Sequence, residues 1–203
     1  GGYERGPAIE EVIRRTAEAG VVIVAAVGND VARSGINIDE TPVYPACQDG
    51  DQDAVIGVGG TDRFDQHAPY TNFGRTCTDL SAPAYDLFVA RPSYSSTTSM
   101  SDGYMPFYRG GVVGTSLAAP LVSGAVALLK SVHPDWTVAR IHHRLYETAD
   151  VLSRDPVVQG KGLQGYGRLN IGRALEPVIL PAAPVFSCSV GDADCALFNS
   201  VGS

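Results

Sequence analysis

The spacing of hydrophobic and polar positions changes character several times along this chain. From Pro7 to Ala19 the apolar residues Ile9, Val12, Ile13 and Ala17 recur at helical spacing, with Pro7 suited to a first turn and Gly20 to the position past the last. Val21-Val22-Ile23-Val24-Ala25-Ala26-Val27 then runs without a polar side chain between Gly20 and Gly28. So short a β-branched run predicts a strand covered on both faces, as in parallel sheets flanked by helices. Ala54-Val55-Ile56-Gly57-Val58 reads the same way. Thr61 to Thr78 is polar and turn-rich, and strand character returns at Asp79-Leu80-Ser81 and Leu87-Phe88-Val89. Ser93 to Gly111 reads as a mobile surface loop. Ser116 to Lys130 is small and apolar on nearly every side, which predicts a buried helix with Pro120 near its first turn. Thr137 suits the N-cap of a second helix whose stripe is Val138, Ile141 and Leu145.

These elements predict an α/β fold: a doubly wound, mostly parallel sheet flanked by helices, over residues 1–177. Residues 178–203, with Pro181, Pro184 and the Cys188–Cys195 loop, read as a linker or tail.

Composition narrows the function. A chain of 203 residues, 44% hydrophobic and 18% charged, suits one globular domain rather than a disordered segment. A formal net charge of −7 without a basic block argues against a nucleic-acid partner. No uninterrupted apolar run reaches the roughly 18 residues of a membrane helix, so no membrane partner is expected. Cys47, Cys77, Cys188 and Cys195 form no CxxC pair and have no His at ligand spacing, so zinc is a poor reading. An even count suits disulfides in an oxidising compartment, although four buried thiols would read the same. Gly1-Gly2-Tyr3-Glu4-Arg5 is not a signal peptide and reads as a chain cut at its N-terminus.

Two segments carry candidate chemistry. In Gly114-Thr115-Ser116-Leu117-Ala118-Ala119-Pro120 a serine follows a glycine turn and opens a small-residue helix. Unpaired N–H groups at a helix start can stabilise an oxyanion forming beside the hydroxyl. The alternative is that Ser116 only caps the helix. In Ala25-Ala26-Val27-Gly28-Asn29-Asp30 an amide side chain stands past the C-terminal end of a strand, the edge where open α/β sheets bind ligands. There Asn29 is either a second oxyanion donor or a plain turn residue. Gly57-Val58-Gly59-Gly60 has a rival reading as a dinucleotide fingerprint, though it lacks a third Gly at Asp62.

Taken together, these segments resemble the subtilisin-like serine proteases (subtilases). GTSLAAP resembles the family's nucleophile motif and implies Ser116 as the attacking residue. AAVGN resembles its oxyanion strand and implies Asn29 as the side-chain donor. Similar stretches follow in family order: Thr41-Pro42-Val43-Tyr44-Pro45-Ala46, implying a cis bond before Pro45; Val55 to Asp62; Tyr70-Thr71-Asn72-Phe73-Gly74; Leu80-Ser81-Ala82-Pro83; His133 to Thr137; and Gly165-Tyr166-Gly167-Arg168-Leu169-Asn170. Ala84 departs from the pattern, standing where the family usually has Gly.

The resemblance implies a serine endopeptidase acting on polypeptide substrates, secreted or extracellular, with no cofactor for catalysis. It places the walls of the primary specificity pocket at Ala26 and Gly28 and an acidic rim at Asp30. It leaves the metal ligands unknown: structural calcium would use the carboxylate of Asp79 and carbonyls near Asp53 and Val55, and one carboxylate is too few to assign it. Cys47 and Cys77, flanking the Tyr-Pro turn and the polar hairpin, are expected to bond, leaving Cys188 to pair with Cys195. The family's His and Asp lie upstream of the serine, and neither motif is present. His67, His133, His142 and His143 read as solvated. The expectation is therefore the C-terminal part of a subtilase domain, incomplete at its N-terminus and inactive alone, whose missing segment would pair with an edge strand at Val21 to Val27. The alternative is a non-catalytic pseudo-protease or partner-binding module on the same scaffold.

Overall fold

In the computed structural model the apolar run after Gly20 forms β1 (Ile23–Ala26), shorter at both ends than the run itself. The structure describes residues 2–48, 54–90, 108–152 and 164–177; the 178–203 tail, the Cys188–Cys195 pairing and Asp53 lie outside them. β1 pairs in parallel with β2 (Val55–Thr61), Ile23 opposite Val55 and Ala26 opposite Val58. β2 pairs in parallel with β3 (Leu80–Pro83), Val58 opposite Leu80. The order β1-β2-β3 leaves β1 at an edge of this sheet.

The period of two along the strands divides the interior into two cores. On one face Ile56, Val58, Leu80 and Ala82 meet Ala118, Val122, Ala125 and Leu129 of α2 (Thr115–Val132), with Val22 and Val24 alongside. On the other, Ala25, Val27 and Val55 meet Ile13 of α1 (Pro7–Glu18) and the loop residues Ile38, Val43 and Ala46. A parallel sheet packed on both faces, with helices contributing to each, is the doubly wound α/β architecture expected from the sequence. α3 (Val138–Glu147), capped by the Thr137 hydroxyl at 3.2 Å from Arg140 N, and α4 (Ile171–Leu175) extend the first core through Ile141, Leu145 and Ala174.

Three expectations need correcting. α2 is buried on one stripe only; Leu121, Leu128 and Val132 are exposed on its other side. Its Ala, Ser and Gly residues fit either environment, so they did not show direction in the sequence. The helix is also, at 18 residues and a mean hydropathy of 1.4, long and apolar enough to cross a membrane; its scattered Thr, Ser and Gly interrupt the apolar run without lowering that mean far. Ala118, Val122, Ala125 and Leu129 nevertheless seat it across all three strands as a core helix. Finally, Tyr108–Val112 is not loop but a strand, β5, antiparallel to β4 (Leu87–Ala90). Its glycines hid it: Gly110 and Gly111, the first lying against the Phe88 ring, carry no side chain that would signal a strand. Residues 93–107 of the expected loop lie outside the described residues.

The Ala84 departure has a local partner. A Cβ on Gly60, in β2, would lie 2.7 Å from the Ala84 Cβ. The glycine in the strand makes room for the methyl in the turn. Gly57-Val58-Gly59-Gly60 is thus strand interior and not a turn into a helix, which removes the dinucleotide reading.

Cys47 and Cys77 are joined by a disulfide with their Cα atoms 4.7 Å apart, and the Tyr44–Pro45 bond is cis. Beside this bridge Asp39 accepts from the Arg75 and Thr76 N–H groups at 2.6 and 3.0 Å and from the Thr76 hydroxyl at 2.6 Å.

Candidate active site

β1 ends at Ala26, and the chain turns at Gly28 into Asn29. Asn72 holds this turn in place: its N–H donates to Gly28 O at 3.0 Å and its side-chain Nδ2 donates to Val27 O at 3.1 Å. Asn29 bridges antiparallel to Thr71, and the Asp30 N–H donates to Tyr70 O at 2.8 Å.

Ser116 is exposed in the first turn of α2. The cap position belongs to Gly114, at φ 143° and ψ 144°, and no side chain caps the helix. The reading of Ser116 as an N-cap is thereby excluded, because its hydroxyl lies inside the helix and not before it. Gly114 adopts a backbone conformation closed to other residues.

The two segments converge. The point a Cβ on Gly114 would occupy lies 3.1 Å from Ser116 Oγ, 3.8 Å from Asn29 Nδ2 and 3.9 Å from Ser116 N. Those hydroxyl and carboxamide groups are therefore less than 7 Å apart. Asn29 Oδ1 accepts from Thr115 N at 2.9 Å and from Thr115 Oγ1 at 3.1 Å. With its oxygen turned to Thr115, the amide has its NH₂ left to donate. The Ser116 N–H, in the first helical turn, has no intrahelical acceptor. A serine hydroxyl thus shares a small space with a side-chain and a backbone donor, an arrangement able to stabilise charge developing on a carbonyl oxygen.

The residues expected to shape substrate binding are placed along the same strand end. Ala26 and Gly28 are half-buried. Asp30 caps a short 3-10 helix (Val31–Arg33), accepting from Arg33 N at 3.1 Å, with the Arg33 guanidinium 3.7 Å from its second oxygen. Its negative charge is thus partly matched within the chain.

Of the histidines, His142 is not solvated. It is 2% exposed, because it sits four residues after Val138 and three before Leu145, at the margin of the apolar stripe of α3. His133 stacks on Trp136 at 3.9 Å, and the exposed His143 lies 3.1 Å from Glu147. His67 packs edge-on to Phe73 at 5.6 Å.

Sequence reasoning assigned no role to Thr115 or Tyr70. Thr115 stood in the nucleophile motif between two residues that drew the attention. Tyr70 opens the family-like stretch Tyr70-Thr71-Asn72-Phe73-Gly74, but that resemblance assigns it no part in the site. It is buried and stacked on Tyr85 at 6.0 Å. Burial pushes its hydroxyl above the usual tyrosine range, against the opposing pull of the Gly114 N–H, so it remains a donor at neutral pH.

The sequence and the fold both have counterparts among known proteins. A sequence model of the subtilase family matches residues 2–167. The chain belongs to the subtilase family. It is 32% identical over 163 residues to subtilisin amylosacchariticus of Bacillus subtilis subsp. amylosacchariticus, covering 80% of this chain and 37% of that protein. It is 31% identical over 163 residues to the subtilisin of Bacillus pumilus, covering 80% and 51%. The crystal structure of a lanthipeptide protease shares the fold at a TM-score of 0.66 and 23% identity, covering 83% of this chain and 54% of that one. The chain thus spans about half or less of the subtilase relatives it matches.

Proposed function

We propose that this chain supplies the nucleophile half of a serine endopeptidase site, with Ser116 attacking a peptide carbonyl and Asn29 Nδ2 and Ser116 N–H binding the resulting oxyanion. One observation carries the reading: Ser116 Oγ, Asn29 Nδ2 and Ser116 N all lie within 4 Å of one point beside Gly114. The hydroxyl proton needs a base, and an acid must later protonate the leaving amine. In subtilases a His does both, oriented by an Asp. Neither family motif occurs in this sequence, so a preceding segment of the same catalytic domain provides them, and residues 1–203 alone are inactive. The edge position of β1 and the exposed Leu121, Leu128 and Val132 of α2 offer that segment apolar surface. Ala26 and Gly28 wall the primary pocket and Asp30 contributes to its rim. The Cys47–Cys77 bond supports a secreted, extracellular enzyme. No metal or other cofactor takes part in the chemistry.

The test is hydrolysis of a fluorogenic peptide library by the catalytic domain with its upstream segment and by residues 1–203 alone. Endoproteolysis by the first, abolished in Ser116→Ala, and none by the second is the expected result. No cleavage by a folded complete domain would instead favour a non-catalytic module.

A further inference from the structure

We infer that Tyr70 is a positioning residue that fixes the spacing between the oxyanion donor and the nucleophile. It is the one residue described here that bonds to the chain beside both. Its backbone oxygen accepts from Asp30 N at 2.8 Å, one residue after Asn29. Its hydroxyl accepts from Gly114 N at 2.9 Å, two residues before Ser116, and donates to Ala84 O. The Gly114 N–H also reaches Ala84 O at 2.9 Å, so hydroxyl, carbonyl and amide close a triangle. The rigid phenol spans from the Asn29 turn to the Gly114 turn. It is 7% exposed.

The consequence is specific. Gly114 holds a backbone conformation that only glycine adopts, and a turn of that kind keeps its shape only while its surroundings determine it. Without the Tyr70 oxygen, Gly114 N–H retains Ala84 O alone, and Ala84 O loses a donor. The nucleophile loop then loosens relative to Asn29, whose turn keeps its own bonds to Asn72 and to the Tyr70 backbone. Displacements of about 1 Å at a reacting group cost up to about 10²-fold in rate. Substrate affinity, set by the strand end at Ala26 and Gly28, is left nearly unchanged.

This inference rests on the protease reading, and its test separates the two. Tyr70→Phe is made in the complete catalytic domain, and turnover is divided by the concentration of active sites titrated with a fluorophosphonate, which removes any unfolded fraction. The expected result is a kcat per active site reduced roughly five- to fiftyfold with KM changed less than twofold. In an Asn29→Ala background the same change should cost little more, because the two substitutions weaken one alignment. A residue serving stability alone would lower Tm and the titratable fraction while leaving kcat per site unchanged. That result, or fully multiplicative effects with Asn29→Ala, would overturn the inference while the protease reading stands. A wild-type domain that neither labels nor cleaves would overturn the protease reading and this inference with it.

Discussion

The Asn29 carboxamide is clamped by Thr115. Its oxygen accepts two hydrogen bonds from that residue, from the backbone at 2.9 Å and from the hydroxyl at 3.1 Å. Thr115 is fully buried and adjacent to Ser116, so the orientation of the Asn29 amide is set by the neighbour of the proposed nucleophile. Thr115→Val keeps the backbone bond and the volume but removes the hydroxyl. In the complete domain it should lower kcat by about three- to tenfold with little change in KM, the effect of one neutral hydrogen bond. Thr115→Ser should restore most of the rate. Equal loss in the Ser and Val variants would show that packing, not the hydroxyl, matters.

Asn29→Ala removes the side-chain donor and leaves the Ser116 N–H. Its kcat should fall by about 10²–10³, the size of effect found for an oxyanion donor in subtilisin itself, with KM nearly constant. A KM effect alone would place Asn29 in substrate binding and not in the transition state.

Gly60 and Ala84 should prove coupled. A Cβ on Gly60 has no room, at 2.7 Å from that of Ala84. Gly60→Ala should destabilise the domain by about 1–3 kcal/mol through overpacking. Adding Ala84→Gly should recover much of this, giving a coupling of at least about 0.5 kcal/mol in denaturant unfolding. Additive losses would mean that the two positions do not share one space.

Asp39 ties the 37–41 turn to the chain entering Cys77. Burial raises its pKa, but the Thr76 hydroxyl and the N–H groups of Thr76, Arg75 and Cys77 outweigh this and hold the carboxyl below the ordinary aspartate value. A folded-state pKa lower than the unfolded one adds stability that is present above about pH 4 and is lost as pH falls through the folded value. Asp39→Asn should therefore lower Tm at pH 7, and its gap from wild type should narrow below about pH 4. A constant gap from pH 7 to pH 3 would show that charge is not what Asp39 contributes.

Much of this architecture was legible because it rests on periodicity. The helical spacing of Ile9, Val12, Ile13 and Ala17 marked α1, although only Ile13 is buried and Ile9 and Val12 are exposed; the run from Val21 to Val27 marked β1, which is only partly covered because it lies at the edge of the sheet. The Thr137 cap was legible because capping is local. What stayed hidden is of a different kind. β5 carries Gly110, which lies against the Phe88 ring of β4, and Gly111, and two adjacent glycines erase strand character. His142 is buried by its position on a stripe that was read one residue too narrow. Asn29 and Ser116 were recognisable from motifs, whereas Tyr70 acts through hydrogen bonds to Ala84 and Gly114, the latter 44 positions away. No local pattern encodes such a contact.

The central claim is that Ser116 and Asn29 form one reactive centre. Fluorophosphonate labelling of the complete domain, followed by peptide mapping, tests it most directly. The account predicts a single adduct on Ser116, absent in Ser116→Ala and formed roughly a hundredfold more slowly in Asn29→Ala. An adduct on another residue, or labelling of Ser116 at an unchanged rate in Asn29→Ala, would contradict it.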